Sequence, residues 1–213
     1  MVVLAIWWLF GKKILGFLLV RGVAKGALKE IGKSALAQQP DWITLTKISD
    51  PQWRNRAAIE EWTTPLRAGG FIDAGVFTVD KMPGVKINIL VKPTDCVMAN
   101  VYEHPQAGTW IELVSHYRNG ESATLTTMKD LGMTRPSWIT SIFVGKAPAM
   151  ELVQRLMTER RTGELIAVSP ERAPRQFEEG YAKYMLGKKN MGLSAEEVAT
   201  QVKRWTEGKP VGK

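Results

Sequence analysis

Six segments between residues 74 and 144 have the pattern of β-strands, and this series limits the possible folds of the chain more than any other feature. Apolar and polar residues alternate in them, or β-branched and aromatic residues predominate. The segments are residues 74–79, 85–91, 96–102, 109–117, 122–128 and 138–144. Turn sequences such as MPG, KPTD, HPQAG and NG separate most of them. Connections this short join antiparallel neighbours, so the sequence predicts a six-stranded antiparallel meander.

The second strand of this series indicates how the sheet is covered. Its side chains alternate between an apolar set, Val85, Ile87, Ile89 and Val91, and a polar set, Lys86, Asn88 and Lys92. This alternation predicts one covered sheet face and one face that is at least partly exposed to water.

The dipeptide Asn119-Gly120 is the strongest local turn signal in the chain. Asparagine and glycine tolerate positive φ, which a two-residue type I′ turn requires at both central positions. Such a turn predicts that Tyr117 pairs with Ser122 and that Ser115 pairs with Thr124.

The sequence before the meander predicts one strand and one helix. Residues 42–48 (WITLTKI) have strand character, and Asp50 followed by Pro51 is typical of a helix start. The predicted apolar stripe of this helix is Trp53, Ala57, Ile59, Trp62 and Leu66. Pro65 is expected to kink or shorten the last turn, and the glycines at 69–70 end the helix.

The sequence after the meander returns to helical periodicity. Residues 147–163 predict a helix with Met150, Val153, Leu156 and Met157 on one side, and residues 170–187 predict another. A last helix begins at Ser194, which forms a capping box with Glu197. Its inward residues are predicted to be Val198, Val202 and Trp205.

Together these patterns predict the α+β class. The expected order is an N-terminal apolar or amphipathic helix, a strand, a helix, the meander, and two or three C-terminal helices. The predicted domains are a helical anchor at 1–37, the α+β domain at 38–168 and a helical extension at 169–213. This order fits both a helix-grip arrangement, in which a curved sheet encloses a helix and an apolar cavity, and a plain two-layer sandwich. Neither architecture implies a function.

The first twenty residues are apolar enough to leave water, although two lysines interrupt them. If residues 2–20 crossed a bilayer, the favourable transfer free energy of their aliphatic and aromatic side chains would nearly cancel the unfavourable transfer free energy of Lys12 and Lys13. Residues 2–10, however, are apolar around the whole helix circumference, so lipid or a partner must cover them. The predicted membrane-inserted residues are Trp7, Trp8, Leu9, Phe10, Ile14, Leu15, Phe17, Leu18 and Leu19.

Residues 17–36 predict an amphipathic helix instead. Its apolar side holds Val20, Val23, Ala24, Ala27 and Ile31, and basic residues recur every four positions on the other side. The predicted anionic-lipid-binding residues are Arg21, Lys25, Lys29 and Lys33. A solvated helix face is the alternative explanation of these charges.

Cleavable targeting segments are the other interpretation of the N-terminus. The sequence ALA at 35–37 lies far beyond the apolar stretch for a signal-peptidase site, and the segment is richer in lysine than a mitochondrial presequence. We therefore expect a retained anchor, with residues 2–20 in the bilayer or in a membrane complex. The basic residues that follow predict that the body lies on the cytoplasmic side.

The net charge of +8 is concentrated at the two ends of the chain. Residues 1–37 carry +5 and residues 181–213 carry +4, whereas the remainder is close to neutral. A nucleic-acid-binding domain usually has a basic face on its folded body, so this distribution argues against nucleic acid. It favours membrane lipid, and other protein subunits, as partners.

Residues that could do chemistry are few. His104 and His116 are the only histidines, with Glu103 and Glu112 nearby in sequence, and they could form a zinc or acid–base site if the strand register brings them together. The chain has no phosphate-binding glycine loop, nucleophile elbow or H-E-x-x-H motif. Cys96 lies in an apolar run and is interpreted as an inert thiol. We therefore assign no catalytic residue, metal ligand or cofactor.

Three hypotheses remain. The first is a non-enzymatic, membrane-tethered accessory or scaffold subunit whose α+β body docks a partner. The second is a helix-grip-like carrier of an apolar ligand or lipid. The third is a hydrolase or metal-dependent enzyme that uses His104 and His116.

Overall fold

The computed structural model describes the backbone of residues 25–206 and the side chains of residues 26–201. The helices in this range are α1 (Lys25–Ala37), α2 (Arg56–Ala68), α3 (Ala149–Glu159), α4 (Ala173–Met191) and α5 (Ala195–Thr206). The strands are β1 (Leu45–Ile48), β2 (Ile72–Val79), β3 (Lys86–Lys92), β4 (Val97–His104), β5 (Gly108–His116), β6 (Ser122–Thr126) and β7 (Ile139–Phe143). They form one seven-stranded sheet in chain order. The α+β class is confirmed, and the predicted helix over residues 2–20 lies outside the described residues.

The last strand corrects the predicted meander. Strands β1 to β6 pair antiparallel with their neighbours, whereas β7 pairs parallel with β6 through contacts such as Thr124 with Ser141. The prediction of antiparallel neighbours throughout was wrong at this point. Residues 127–138 connect the two strands and are long enough for the crossover that a parallel pair requires.

The central strands β3 to β6 are largely buried on both faces, so the prediction of one partly exposed face does not hold for the centre of the sheet. The outer strands β1, β2 and β7 do carry exposed residues. In β4, every residue from Val97 to Glu103 is buried. One face, here called the helical face, packs against α2 and α3. Its sheet residues include Leu90, Val97, Ala99, Val101, Ile111, Leu113, Ala123 and Leu125. Helices placed on a sheet face exclude water from it, so the lysines and Asn88 of β3 do not mark a wet surface.

The turn between β5 and β6 differs from the predicted type I′ turn. The observed register pairs Ser115 with Ala123 and His116 with Ser122. The backbone N–H of Tyr117 donates to the carbonyl of Glu121 at 2.9 Å, and Gly120 has φ +84°. Asn119 does not have the positive φ of a type I′ turn. A three-residue loop ending in a left-handed glycine therefore replaces the two-residue turn, which shifts the register by one.

Helix α2 begins later than the sequence predicts. Asn55, rather than Asp50, is the N-cap, and its side-chain oxygen accepts the N–H of Ala58 at 3.1 Å. Asp50 instead accepts a hydrogen bond from the amide of Gln52 at 2.8 Å. The predicted inward residues Ile59, Trp62 and Leu66 are buried, whereas Ala57 is exposed.

Compactness divides the chain into two units. The larger unit comprises residues 44–129 and 137–178 and contains the sheet with α2 and α3. The described part of the smaller unit comprises residues 25–43, 130–136 and 179–206. Within the smaller unit α1 lies against α5, where Gly32 is so close to Leu193 and Val198 that a Cβ atom would stand 2.8 Å from a valine methyl group.

A buried ion pair and its hydrogen bonds connect three segments of the smaller unit. Lys188 is 2% exposed, and its Nζ lies 3.6 Å from Glu197 and donates to the carbonyl of Thr134 at 2.8 Å. Glu197 also accepts the backbone N–H of Thr134 and of Ser194, each at 2.7 Å. Ser194 in turn accepts the N–H of Glu197 at 3.1 Å, so the predicted capping box is confirmed.

Candidate functional site

The sheet face opposite α2 and α3 carries the candidate site, and we call it the Tyr102 face. Residues directly across from one another in a sheet point to the same side. The register places Asn100 of β4 opposite Glu112 of β5, and Glu112 opposite Thr126 of β6. These three residues, here called the polar row, are 0%, 2% and 3% exposed. A continuous line of polar side chains therefore crosses the buried centre of the sheet.

Asn100 is the unusual member of the polar row. Its side chain is completely buried, and neither Nδ2 nor Oδ1 has a hydrogen-bond partner among the described residues. A buried polar group in this condition costs about 1–3 kcal/mol. Native proteins keep few such groups, and those that persist have a specific cause, such as strain, a functional role, or a water or ion that completes the bonding.

Tyr102 connects the polar row to an aromatic group. Its hydroxyl donates to the carboxylate of Glu112 at 2.8 Å. Its ring stacks on Trp110, with centroids 4.6 Å apart and planes 12° from parallel, and lies 6.3 Å from Phe177 of α4. Burial raises the pKa of Tyr102 well above its ordinary value, so the hydroxyl remains a donor at physiological pH. The polar row thus adjoins a rigid apolar wall.

Thr126, the third member of the row, has two hydrogen-bond partners. Its hydroxyl donates to the carbonyl of Ile111 at 3.4 Å and accepts the N–H of Met128 at 3.2 Å. In the next row of the same face Ser141 lies opposite Thr124, and its buried hydroxyl has no hydrogen-bond partner in the described part of the chain. Unused hydrogen-bonding capacity therefore occurs at two places on the Tyr102 face.

The two histidines lie on the Tyr102 face but far apart. His104 is opposite Gly108, so His116 stands eight residues further along β5, about 26 Å away at the rise of a strand. His104 accepts the backbone N–H groups of Gln106 and Ala107 at 3.1 Å through Nδ1. Burial, with a smaller effect of Arg54, lowers the pKa of His104 to about 4. The structure thus gives His104 a turn-stabilising role and does not bring the histidines together.

Among residues 25–206, no group of three or more His, Cys, Asp or Glu side chains is placed to hold a metal ion. Cys96 is half-buried in the turn before β4, with φ +53°, rather than within the strand. Its Sγ lies 3.6 Å from the carbonyl of Pro93.

Glu103, near the end of β4, belongs to the scaffold rather than to the polar row. Its carboxylate is on the helical side, accepts the backbone N–H of Asn55 at 3.0 Å, and lies 3.1 Å from Lys86 Nζ. The Lys86 ammonium also donates to the carbonyl of Gln52 and stands 5.6 Å from the ring of Trp53. This cluster ties the start of α2 to the sheet.

The predicted membrane-inserted residues, from Trp7 to Leu19, and Arg21 lie outside the described residues, as does the side chain of Lys25. Lys29 and Lys33 are described, and both are exposed on α1. No helix within residues 25–206 has the length and apolar character needed to cross a bilayer.

Comparison with known proteins gives no assignment. No protein-family model, curated protein sequence or solved structure matches the chain significantly.

Asn100 and Tyr102 were not predicted as site residues, and Glu112 was noted only as a neighbour of the two histidines. The available signal was the interruption of two strongly apolar segments, VMANVY and WIELV, by one charged or amide side chain each. Only the register, which the sequence does not fix, places these two residues opposite each other.

Proposed function

We propose that the protein is a non-enzymatic accessory or scaffold subunit that is tethered to a membrane. In this proposal residues 2–20 insert into the bilayer or into a membrane complex, and the α+β body lies on the cytoplasmic side. The observation that carries the proposal is the sequence of residues 2–10, which is apolar on every side and therefore needs a non-aqueous environment.

Exposed basic residues support a position at an anionic surface. Lys29 and Lys33 extend from α1 into solvent, on the segment that follows the apolar stretch. A basic residue near anionic headgroups contributes about 1 kcal/mol to membrane binding. The exposed apolar side chains Leu186 and Met191, 63% and 46% accessible, support other protein subunits as additional partners.

Vesicle flotation of the full-length chain tests the role of the basic residues. We expect the protein to float with phosphatidylcholine vesicles and to bind more strongly when phosphatidylglycerol is included. The double variant Lys29→Gln/Lys33→Gln should lose roughly 30-fold of this preference, because two cationic contacts disappear. The matched control is Lys129→Gln, which removes an exposed lysine outside α1 and should retain the preference. Equal flotation of both variants on the anionic vesicles would contradict the role of α1.

A second candidate function, a carrier of an apolar ligand, is favoured by a different observation. This observation is the completely buried and unpartnered amide of Asn100 on the Tyr102 face. Native mass spectrometry of the full-length protein, extracted in mild detergent, tests it. A carrier should retain a small molecule of constant mass. Spectra that contain only the protein mass, before and after incubation with lipid extract, would contradict a carrier function.

A further inference from the structure

Helix α5 packs closely against α1 within the smaller unit. A Cβ atom at Gly32 of α1 would stand 2.8 Å from a methyl group of Val198 and 3.0 Å from Leu193, which lies just before α5. Gly32 is buried, so the two helices meet there without room for a larger side chain. The position of α1 therefore depends on the position of α5.

The first turns of α5 also hold residues 130–136, which lie in the connection between β6 and β7 and belong to the smaller unit. We call these residues the crossover segment. Glu197 accepts the backbone N–H of Thr134 at 2.7 Å, and Nε2 of Gln201 donates to the carbonyl of Leu131 at 2.7 Å. Helix α5 thus contacts α1 and the crossover segment with the same few residues.

Neither α1 nor α5 is long enough to be stable by itself in water. They have 13 and 12 residues, and isolated helices shorter than about 12–15 residues are marginal. Each helix therefore depends on packing against its neighbours. If α1 separates from α5, the contacts of α5 with the crossover segment are weakened as well.

We infer that α5 couples membrane binding of α1 to the crossover segment, so that an anionic lipid surface at α1 holds the crossover segment more firmly in place. This coupling rests on the proposed membrane-tethered function and specifies which part of the protein responds to the lipid. A ligand that favours the docked form of α1 also favours docked α5, because both helices share that state.

The docked α1 can contact lipid without leaving α5. Lys29 and Lys33 lie four residues apart on the same side of the helix, and both are exposed in the docked arrangement. Glu30 is exposed as well, and the two lysines leave these three residues with a net positive charge. Anionic headgroups therefore attract α1 in the arrangement that α5 also favours.

The buried residues of α1 determine the sign of the coupling. They are Gly32, Ala35 and Leu36, of which only Leu36 has a large apolar side chain. The affinity of an interfacial helix scales with the apolar area that it buries in the membrane. Separation from α5 would add little such area, so lipid stabilises the docked helix rather than pulling it away.

Hydrogen–deuterium exchange of the full-length protein on two kinds of vesicle tests the coupling. One kind contains phosphatidylcholine alone, and the other contains phosphatidylcholine with phosphatidylglycerol. We expect the amides of the crossover segment, including the N–H of Thr134, to exchange about fivefold or more slowly on the anionic vesicles. Peptides from α2, in the larger unit, should exchange equally on both. Faster exchange of the crossover segment on the anionic vesicles would overturn the inference.

The variant Gly32→Ala tests whether the contact between α1 and α5 carries the coupling. It keeps Lys29 and Lys33, so it should still float preferentially with anionic vesicles, but its crossover segment should exchange equally on both kinds. The matched control is Gly26→Ala, because nothing lies within 4 Å of a Cβ atom there. This control should behave as wild type. A lipid dependence that survives in Gly32→Ala would contradict the assigned route.

Lys29→Gln/Lys33→Gln provides a second test that changes only exposed side chains, and it decides the matter if Gly32→Ala does not fold. The difference in exchange between the two vesicles should disappear in this variant, and a persistent difference would contradict the coupling.

The outcomes also separate the coupling from the function on which it rests. If wild type prefers anionic vesicles in flotation but its crossover segment exchanges equally on both kinds, the coupling is wrong and the tethered function stands. If wild type binds neither kind of vesicle, both are wrong.

Discussion

Buried polar residues of the larger unit differ in how completely their hydrogen bonds are satisfied. Glu103 and Asn88 have several partners each, which fix α2 and the β2–β3 pair in place. Asn100 has none among the described residues. The satisfied residues stabilise the fold, whereas an unsatisfied buried amide reduces its stability.

Glu103→Gln should reduce stability in a pH-dependent way. Burial acts to raise the pKa of Glu103, but the N–H groups of Asn55 and Arg54 and the Lys86 ammonium together lower it below its ordinary value of 4.5. The stabilisation is therefore complete above that pH and is lost as the pH falls through the lowered pKa. At pH 7 we expect the free energy of unfolding to decrease by about 1.5–3 kcal/mol, measured by urea denaturation.

The difference between Glu103→Gln and wild type should shrink as the pH falls from 4.5 through the lowered pKa, because Glu103 is protonated first in the unfolded chain and then in the folded protein. The control Glu60→Gln removes an exposed carboxylate 3.8 Å from Arg56 and should change stability by less than about 0.5 kcal/mol. A difference for Glu103→Gln that stays constant down to pH 3 would contradict the charged role of Glu103.

Among the elements, the strands were predicted well because their pattern and the intervening turns are local properties of the sequence. The six segments of the meander match β2 to β7 in number and order. The wrong predictions concern which strand residues pair with each other and which sheet faces are buried. The register of the β5–β6 turn and the parallel pairing of β7 depend on contacts between distant residues, which no local pattern records. The burial of both sheet faces depends on where the helices pack.

The start of α2 allows a direct comparison of two possible caps. Asn55→Ala should lower the free energy of unfolding by about 1 kcal/mol, because the N–H of Ala58 loses its acceptor. Asp50→Ala, at the position that the sequence indicated, should have a much smaller effect. Thermal unfolding followed by circular dichroism measures both variants. A larger loss for Asp50→Ala would mean that the helix begins earlier than the structure places it.

Two glycines of α1 provide a second comparison within one element. A Cβ atom at Gly32 would stand 2.8 Å from a methyl group of Val198, whereas nothing lies within 4 Å of such an atom at Gly26. Gly32→Ala should therefore destabilise the protein by about 1–3 kcal/mol.

Gly26→Ala should be neutral or should stabilise the protein by up to about 1 kcal/mol through its higher helix propensity. Denaturant midpoints of the two variants check both expectations. Equal stability of Gly32→Ala and Gly26→Ala would contradict the packing of α1 against α5.

At the scale of the whole molecule, the apolar segment and the basic ends are visible in the sequence, whereas the polar row is visible only in the structure. The apolar segment and the basic ends were evident from sequence, because hydrophobicity and charge are compositional. The polar row was not, because Asn100 and Glu112 are twelve residues apart and become neighbours only through the β4–β5 register. The unsatisfied state of Asn100 depends on the entire surrounding fold, so no sequence pattern could have indicated it.

Membrane attachment through residues 2–20 is the central claim, and fractionation of cells that express the full-length chain with a C-terminal tag tests it most directly. We predict that the protein sediments with membranes, resists extraction by alkaline carbonate and is released by detergent. The variant Leu9→Glu/Leu18→Glu, which places charges in the apolar segment, should move to the soluble fraction. Wild-type protein found in the soluble fraction without detergent would contradict the account.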